Sequence, residues 1–415
     1  MIQISSLLVC FFKITSRQLL LIKAIRMISN TPLLLITFLF TLNVSAQQKP
    51  VLIFASGNEG YSHYRIPAMV ALPGGKLLAF CEGRVHSAGD FGNIDIVMKT
   101  SNNKGKTWSA LKIIVDADSL QAGNPAPVLD MADPLFPAGR LFLFYNTGNN
   151  HENEVRKGKG VREVWYKTSV DGGDTWSKPV NITLQVHRPN QPTYNSLYNC
   201  KEDWRSYANT PGHAMQFNSG KFKGRILVAA NHSAGEPEAD ASDYHAHCFY
   251  TDDHGNSFKL GATVDIRGSN ESMAAELPGD KLIMNSRNQK GDIKARIVSF
   301  SSDGGASWDT SYFDKALPDP INQGSILSLR DKNRKNFLAF CNAADTLNRN
   351  NLTLRISSDN GKTWKKQYSI DGDAHSKDDP TAYSDMTVLS EHSIGVIYER
   401  KGYSQIVFKA INWNE

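Results

Sequence analysis

The sequence predicts an all-β fold, a six-bladed β-propeller of four-stranded antiparallel blades, and three observations carry that prediction. One octet recurs five times, as SNNKGKTW at 101, SVDGGDTW at 169, TDDHGNSF at 251, SSDGGASW at 301 and SSDNGKTW at 357. Each copy follows a run of alternating or apolar β-formers (IDIVMKT, EVWYKTS, HCFYTD, ARIVSFS, LTLRISS). Beyond the last copy, SDMTVLS, SIGVIYE and QIVFKAINW read as three more strands, and PVLIFASG near residue 50 reads as a lone strand without a hairpin partner.

The octet has the chemistry of a tight hairpin turn. An Asp or Asn side chain bonds backbone further along, Gly supplies a positive φ, and the terminal Trp or Phe packs back under the turn. Copies begin 68, 82, 50 and 56 residues apart, and a β-hairpin period of about 50 residues is that of propeller blades. Five octets predict five blades, and the three strands after Tyr383 predict a sixth. Pairing PVLIFASG into that last blade would close the ring and hide both sheet edges. No Pro-, Gly- or Ser-rich tract interrupts residues 47–415, which are therefore expected to form one domain.

Residues 1–46 read differently. They hold Lys13, Arg17, Lys23 and Arg26 and no acid, so the formal charge of +5 reduces to 42 basic against 41 acidic residues beyond them. Leu33–Leu42 is apolar but too short to span a bilayer, and Val44-Ser45-Ala46 follows. The segment is expected to be a cleaved signal peptide, with translation starting at Met27 and the product periplasmic or secreted. Balanced charge without a basic run excludes a nucleic-acid binder, and no membrane attachment is expected after cleavage. Cys81, Cys200, Cys248 and Cys341 lack metal-ligand spacing; three disulfide pairings are possible, but Cys81 and Cys341 end apolar runs and are expected to be buried thiols.

The octets resemble the Asp-box of sialidase-type propellers, with Asn103 replacing Asp in the first copy and Phe258 replacing Trp in the third. Tyr64-Arg65-Ile66-Pro67, set before a strand, resembles the Tyr-Arg-Ile-Pro motif of the bacterial exo-α-sialidase (neuraminidase) family. Further matches follow in the family's order. Glu271 precedes a strand and Arg287 ends the next; Arg349 lies before the strand entering the fifth octet; Tyr383-Ser384 opens the last blade; Arg84 and Asp90 sit in the loop of the first blade.

The resemblance implies the sialidase fold and a retaining glycoside hydrolase acting on sialylated glycans without a metal or organic cofactor. By that analogy Arg65, Arg287 and Arg349 bind the sugar's carboxylate, Tyr383 is the nucleophile with Glu271 as its base, and Asp90 is the acid/base. Glu399 pairs with Arg65, and Arg84 and Asn124 contact ring substituents. The types suit the chemistry. Three guanidinium groups match a carboxylate, and a neutral phenol avoids the repulsion that an anionic nucleophile would meet there.

Other candidates read as structural. His213 resembles a Pro-Gly-His turn of the family, His245 and His247 lack a third metal ligand, and Asp130 and Asp133 lie near turns. Asp95 begins a strand, so Asp90 is the preferred acid. The long segment after the second octet carries Tyr194, Tyr198, Trp204 and Tyr207 and is expected to reach the mouth of the site. The protein is expected to act as a monomer.

Overall fold

The computed structural model describes residues 49–372 and 381–413. The expected signal peptide and its Met27 start lie outside the described residues. Strand β1 (Val51–Ala55) is followed by β2 (His63–Ala71), β3 (Leu77–Arg84), β4 (Ile94–Ser101), β5 (Lys112–Val115), β6 (Gln121–Asp130), β7 (Arg140–Gly148), β8 (Arg162–Ser169) and β9 (Val180–Asn181), with helix α1 (Glu152–Arg156) between β7 and β8. After helix α2 (Thr183–Val186) come β10 (Trp204–Asn209), β11 (Met215–Gln216), β12 (Ile226–Ala234), β13 (Tyr244–Thr251) and β14 (Lys259–Leu260). Two similar sets follow, β15 (Ser269–Leu277), β16 (Lys281–Asn288), β17 (Ala295–Ser301) and β18 (Thr310–Pro318), then β19 (Gly324–Arg330), β20 (Asn336–Ala343), β21 (Leu352–Ser357) and β22 (Lys366–Asp371). The last strands are β23 (Ser384–Ser390), β24 (Ser393–Arg400) and β25 (Gln405–Asn412).

The molecule is an all-β propeller, but six separate four-stranded blades are not what the structure shows. Among the described residues the hydrogen-bonded sheets number five: one of eight strands (β2–β9), one of five (β10–β14) and three of four. The eight-stranded sheet arises because β5 covers only Ile96–Met98 of β4. The start of β4, which β5 does not pair with, then pairs in parallel with β6 at Ile94 and Gln121, and one ladder runs through what the octet count treats as two blades. The five-stranded sheet arises because its inner strand is interrupted at Thr210-Pro211-Gly212, leaving β10 and β11 to pair separately with β12.

Ring closure follows the sequence reading. β1 pairs antiparallel with β25, Val51 opposite Phe408, and completes the sheet β1-β25-β24-β23. The core lies between neighbouring sheets. Phe54, Tyr64 and Val97 meet Ile397 and Phe408 in one cluster, and Phe142 and Phe144 meet Val228 and Phe249 in another.

Each octet caps one end of a sheet. In the fourth copy Asp303 Oδ1 accepts from Ser307 N at 2.9 Å and Oδ2 from the Ser307 hydroxyl at 2.6 Å, while Gly305 N donates to Ser301 Oγ at 2.9 Å. Gly305 has φ 93°; the left-handed region there favours glycine. Asn103 does the same work in the first copy, its Oδ1 accepting from Thr107 N at 2.9 Å. Two of the terminal aromatics reach strands elsewhere in the ring, Trp108 meeting Phe408 of β25 and Trp176 meeting Phe80 of β3. All the octets follow strands that run away from the starts of β2 and β6, so they build the end opposite the cavity described next. Cys81, Cys248 and Cys341 are buried free thiols, and Cys200 is half-buried and free.

Candidate active site

The opposite end holds a cavity of about 290 Å³ lined by Arg65, Arg84, Asp90, Asn124, Glu271, Arg287, Arg349 and Tyr383. These residues lie up to 318 positions apart in sequence, and ring closure brings them together.

Arg65 is aimed by a β-bulge. The β2–β3 register shifts between Arg65 and Ala68, and Ile66 has φ 59°, an uncommon conformation for a β-branched residue. The fully buried Glu399 holds the distortion. Its Oε1 accepts from Arg65 Nε at 2.7 Å and from Ile66 N at 2.9 Å, and its Oε2 accepts from Tyr383 N at 3.2 Å. Glu399 therefore stands behind the cavity, joining Arg65 to the Tyr383 backbone. Burial alone would lower the Arg65 pKa, and Glu399 more than offsets it, leaving a cation above the usual arginine value.

Glu271 sits at a register break of β15, and Arg287 sits near the end of β16. Glu271 Oε1 accepts from the Tyr383 hydroxyl at 2.5 Å. Arg287 Nη1 donates to Glu271 Oε2 at 2.8 Å and to the Tyr383 oxygen at 3.0 Å. Burial first, then Glu271, raise the Tyr383 pKa above the ordinary phenol value, while Arg287, Arg349 and Arg65 pull it down. The phenol is thus protonated at rest, with its acceptor in place. Gln323 steadies the next residue, exchanging hydrogen bonds with Ser384 N at 3.0 Å and Ser384 O at 2.9 Å. Arg349 donates to Ile321 O at 2.9 Å, and its guanidinium lies 5.8 Å from the centre of the Tyr383 ring.

On the other wall Arg84, only 2% exposed, donates from Nε and Nη2 to Glu82 Oε2 at 3.0 and 2.6 Å. Its Nη1 pairs with Asp90 Oδ1 at 2.7 Å, and the Asp90 side chain is 77% exposed at the mouth. Loss of hydration raises the Asp90 pKa, but Arg84 and then Arg65 lower it by more, so it rests as a carboxylate. Asn124 repeats the bulge of Ile66-Pro67. It has φ 54° before Pro125, its N donates to Glu82 Oε1 at 3.0 Å, and its Nδ2 donates to Asn209 O at 3.2 Å.

Sequence reading missed Glu82, Gln121, Glu152 and Arg162, which line the same cavity. The available signal was the proline that follows Ile66, Asn124 and Thr210; each of these three residues has a positive φ in the structure. Of the aromatics in the long segment, Tyr207 lines the cavity, while Trp204 stacks on His232 and Tyr198 bonds Glu163. Tyr194 is 48% exposed on an adjoining groove that shares Gln121 with the cavity.

The other candidates take structural partners. His213 Nδ1 lies 2.7 Å from Asp385 Oδ1, outside the cavity lining. Asp95 accepts from the Tyr61 hydroxyl at 2.6 Å and also lies outside it. Asp130, Asp133 and His254 gather within 4.8 Å of one another. Their partners are the protein's own donors, Gln216 on Asp130 and Arg140 on Asp133.

A model of the BNR repeat-like domain matches residues 75–397. The chain belongs to the BNR repeat-like domain family. Proteins similar to it include a sialidase of Micromonospora viridifaciens, 29% identical over 362 residues that cover 83% of this chain and 51% of that protein. An exo-alpha-sialidase of Arthroderma benhamiae is 28% identical, covering 83% of this chain and 79% of its own length. A sialidase of Bacteroides fragilis is 25% identical, covering 86% and 63%. This BNR repeat-like chain thus spans about half the length of the Micromonospora protein. A solved Hadza microbial sialidase shares its fold with TM-score 0.73 and 23% identity, covering 88% of this chain and 69% of that one.

Proposed function

We propose that the protein is an exo-α-sialidase, a glycoside hydrolase that releases terminal α-linked sialic acid from glycans with net retention. The observation that carries this reading is the Tyr383–Glu271 hydrogen bond of 2.5 Å beside Arg65, Arg287 and Arg349. A sialic acid carries a carboxylate on its anomeric carbon, C2. The arginines bind that carboxylate and bring C2 to the Tyr383 oxygen.

In the first step the Tyr383 oxygen attacks C2 as its proton passes to Glu271, the bond from C2 to the glycosidic oxygen breaks, and that oxygen takes a proton from Asp90. In the second step water attacks C2 while Asp90 accepts its proton. The C2–Tyr383 bond breaks and Glu271 returns the phenol proton. Two inversions give retention. Asp90 must first gain a proton, and substrate binding favours this, because the incoming carboxylate offsets the Arg65 charge that helps to hold Asp90 ionised.

We also propose that the enzyme is exported to the periplasm or secreted, on the strength of the apolar stretch Leu33–Leu42 and Val44-Ser45-Ala46. Release of free sialic acid from α2,3-, α2,6- and α2,8-linked glycans tests the activity. Trapping with a fluorinated sialoside, read by peptide mass, is expected to label Tyr383; labelling elsewhere rejects the mechanism.

A further inference from the structure

Residues 319–323, which link β18 to β19, line none of the cavity, yet three groups of the site lean on them. Ile321 O accepts from Arg349 Nη2 at 2.9 Å. Gln323, 1% exposed, pairs its side-chain amide with both Ser384 N and Ser384 O, as a neighbouring strand would, and so fixes the backbone that carries Tyr383. Asp319 Oδ2 accepts from Asn288 N at 3.0 Å, one residue beyond Arg287. The reaction proposed above needs the phenol, Arg287 and Arg349 at set distances from one sugar carbon, and one short segment is the common reference for all three.

That segment is gripped from behind the cavity. Arg296, near the start of β17, is 0% exposed, and Asp319 is 1% exposed. Arg296 Nη1 donates to Asp319 Oδ2 at 3.2 Å and to Asn322 O, while its Nε donates to Asn285 Oδ1 at 2.7 Å. Asp319 Oδ1 closes the turn by accepting from Asn322 N at 2.9 Å. The guanidinium thus holds the segment by a side chain and by a main-chain carbonyl, and ties both to β16, the strand that carries Arg287. Between the two held points Ile321 has φ 60°, uncommon for a β-branched residue and retained only where the surroundings impose it.

As a source of stability this pair is poor. Two charges leave water, and Arg296 Nη2 and both polar atoms of the Asn322 side chain have no hydrogen-bond partner among the described residues. Apolar residues of similar volume often serve a core as well as a buried ion pair or better. Burial lowers the Arg296 pKa, Asp319 and then Glu271 offset this, and Arg287 adds to it, so the pair lies within electrostatic reach of the site. What a buried guanidinium supplies is geometry, because its planar fork fixes the directions of its donors. A misplacement of about 1 Å caused far from the chemistry can cost about a hundredfold in rate.

We infer that Arg296 and Asp319 form a positioning pair for the reaction, holding residues 319–323 so that Tyr383, Arg287 and Arg349 converge on one substrate carbon and its carboxylate. The inference rests on the sialidase reading above.

Trapping with a fluorinated sialoside tests it through two separate quantities, the fraction of protein labelled at completion and the rate constant of labelling. In Arg296→Met the fraction is expected to match the wild type while the rate constant falls by at least about tenfold, because every folded molecule is competent but misaligned. Arg225→Met is the control. Arg225 holds Asp252 and Gly304 O among the octets, away from the cavity, and its loss is expected to leave the rate constant unchanged. A wild-type rate constant in R296M, whatever the fraction labelled, would mean that the arginine only supports the fold and overturns the inference; an equal slowing in R225M overturns it as well. If R296M yields no folded protein, the double variant R296M/D319N, which removes both buried charges together, is read in the same way: slow labelling supports the inference and labelling at the wild-type rate overturns it. A wild type that is neither labelled nor releases sialic acid instead rejects the sialidase reading.

Discussion

The Tyr383 hydroxyl donates to Glu271 Oε1 at 2.5 Å while accepting from Arg287 Nη1 at 3.0 Å. One phenol oxygen therefore faces a proton acceptor and a cation together, which is what a weakly acidic nucleophile requires. Tyr383→Phe removes a single hydroxyl from a buried ring and is expected to leave the melting temperature nearly unchanged while lowering kcat by at least about a hundredfold. Glu271→Gln keeps an acceptor but cannot take the proton, and is expected to cost a similar factor. Near wild-type turnover in Y383F would falsify the assignment.

Arg287 and Arg349 look equivalent as carboxylate ligands, but their other contacts separate them. Arg287 touches both Glu271 and Tyr383, whereas Arg349 holds only Ile321 O and faces the Tyr383 ring. Arg349→Ala is expected to raise KM and weaken a carboxylate-bearing inhibitor by about 2–3 kcal/mol, with kcat reduced much less. Arg287→Ala is expected to lower kcat as well as binding. Steady-state kinetics and inhibitor titration distinguish the two, and identical profiles would reject the distinction.

Arg65 and Glu399 form a buried ion pair at the bulge of β2. Glu399 is 0% exposed, and removing Arg65 strands its carboxylate next to a bulged backbone. Arg65→Met is expected to cost about 3–5 kcal/mol of stability. The double variant Arg65→Met, Glu399→Gln is expected to recover much of that loss without recovering activity, because the carboxylate clamp is still short of a cation. Denaturant unfolding of the two variants, compared with the wild type, checks the ordering. A single variant as stable as the wild type would show that solvent or another group neutralises Glu399.

Much of this site is legible in sequence because its elements are marked by local chemistry. The octets announce their turns through Asp, Gly and an aromatic at fixed offsets, and Tyr64-Arg65-Ile66-Pro67 carries a proline that marks where the bulge lies. The number of sheets was not legible. It turns on where β5 stops along β4, which leaves Ile94 free to pair with Gln121, and no local pattern records that. Arg162 escaped notice for a similar reason. It begins an ordinary strand, and only the register of Gln121, Gly148 and Arg162 shows that a missing side chain on one strand makes room for a long one on the next.

The long segment before β10 divides by burial. Tyr198 and Trp204 are held by Glu163 and His232, so substitutions there are expected to reduce stability and lower activity on all substrates together. Tyr194 is exposed beside Gln121 on the adjoining groove, where an aromatic face can stack on a sugar beyond the cleaved bond. Tyr194→Ala is expected to change the ratio of activities on α2,3- and α2,6-linked glycans severalfold while an aryl sialoside is cleaved at the wild-type rate. An unchanged linkage ratio would leave Tyr194 as scaffold.

Behind Tyr207 lies a group of buried histidines with a consequence for acid stability. His187 and His247 are fully buried and His232 is 2% exposed. His232 Nδ1 lies 3.1 Å from His247 Nδ1, Trp204 stacks on His232 at 3.5 Å, and neither nitrogen of His187 has a hydrogen-bond partner among the described residues. Burial first, and then neighbouring imidazoles, hold the pKa values of His187 and His232 well below the ordinary value and bring His247 down to about 3. The half-buried His245 and the nearby Arg188 add to the penalty for charging them. All three rings are therefore neutral in the folded protein, whereas in the unfolded chain they take up protons as the pH falls below about 6.5. The unfolded state then binds more protons, and stability falls with pH by up to about 1.4 kcal/mol per unit for each histidine, from about pH 6.5 down to the depressed folded values. His187→Leu removes one titrating group without deleting a hydrogen bond among the described residues, and is expected to flatten the fall in unfolding free energy between pH 6.5 and 5 by up to about 1.4 kcal/mol per pH unit. A slope identical to that of the wild type would mean that groups outside this cluster govern acid unfolding.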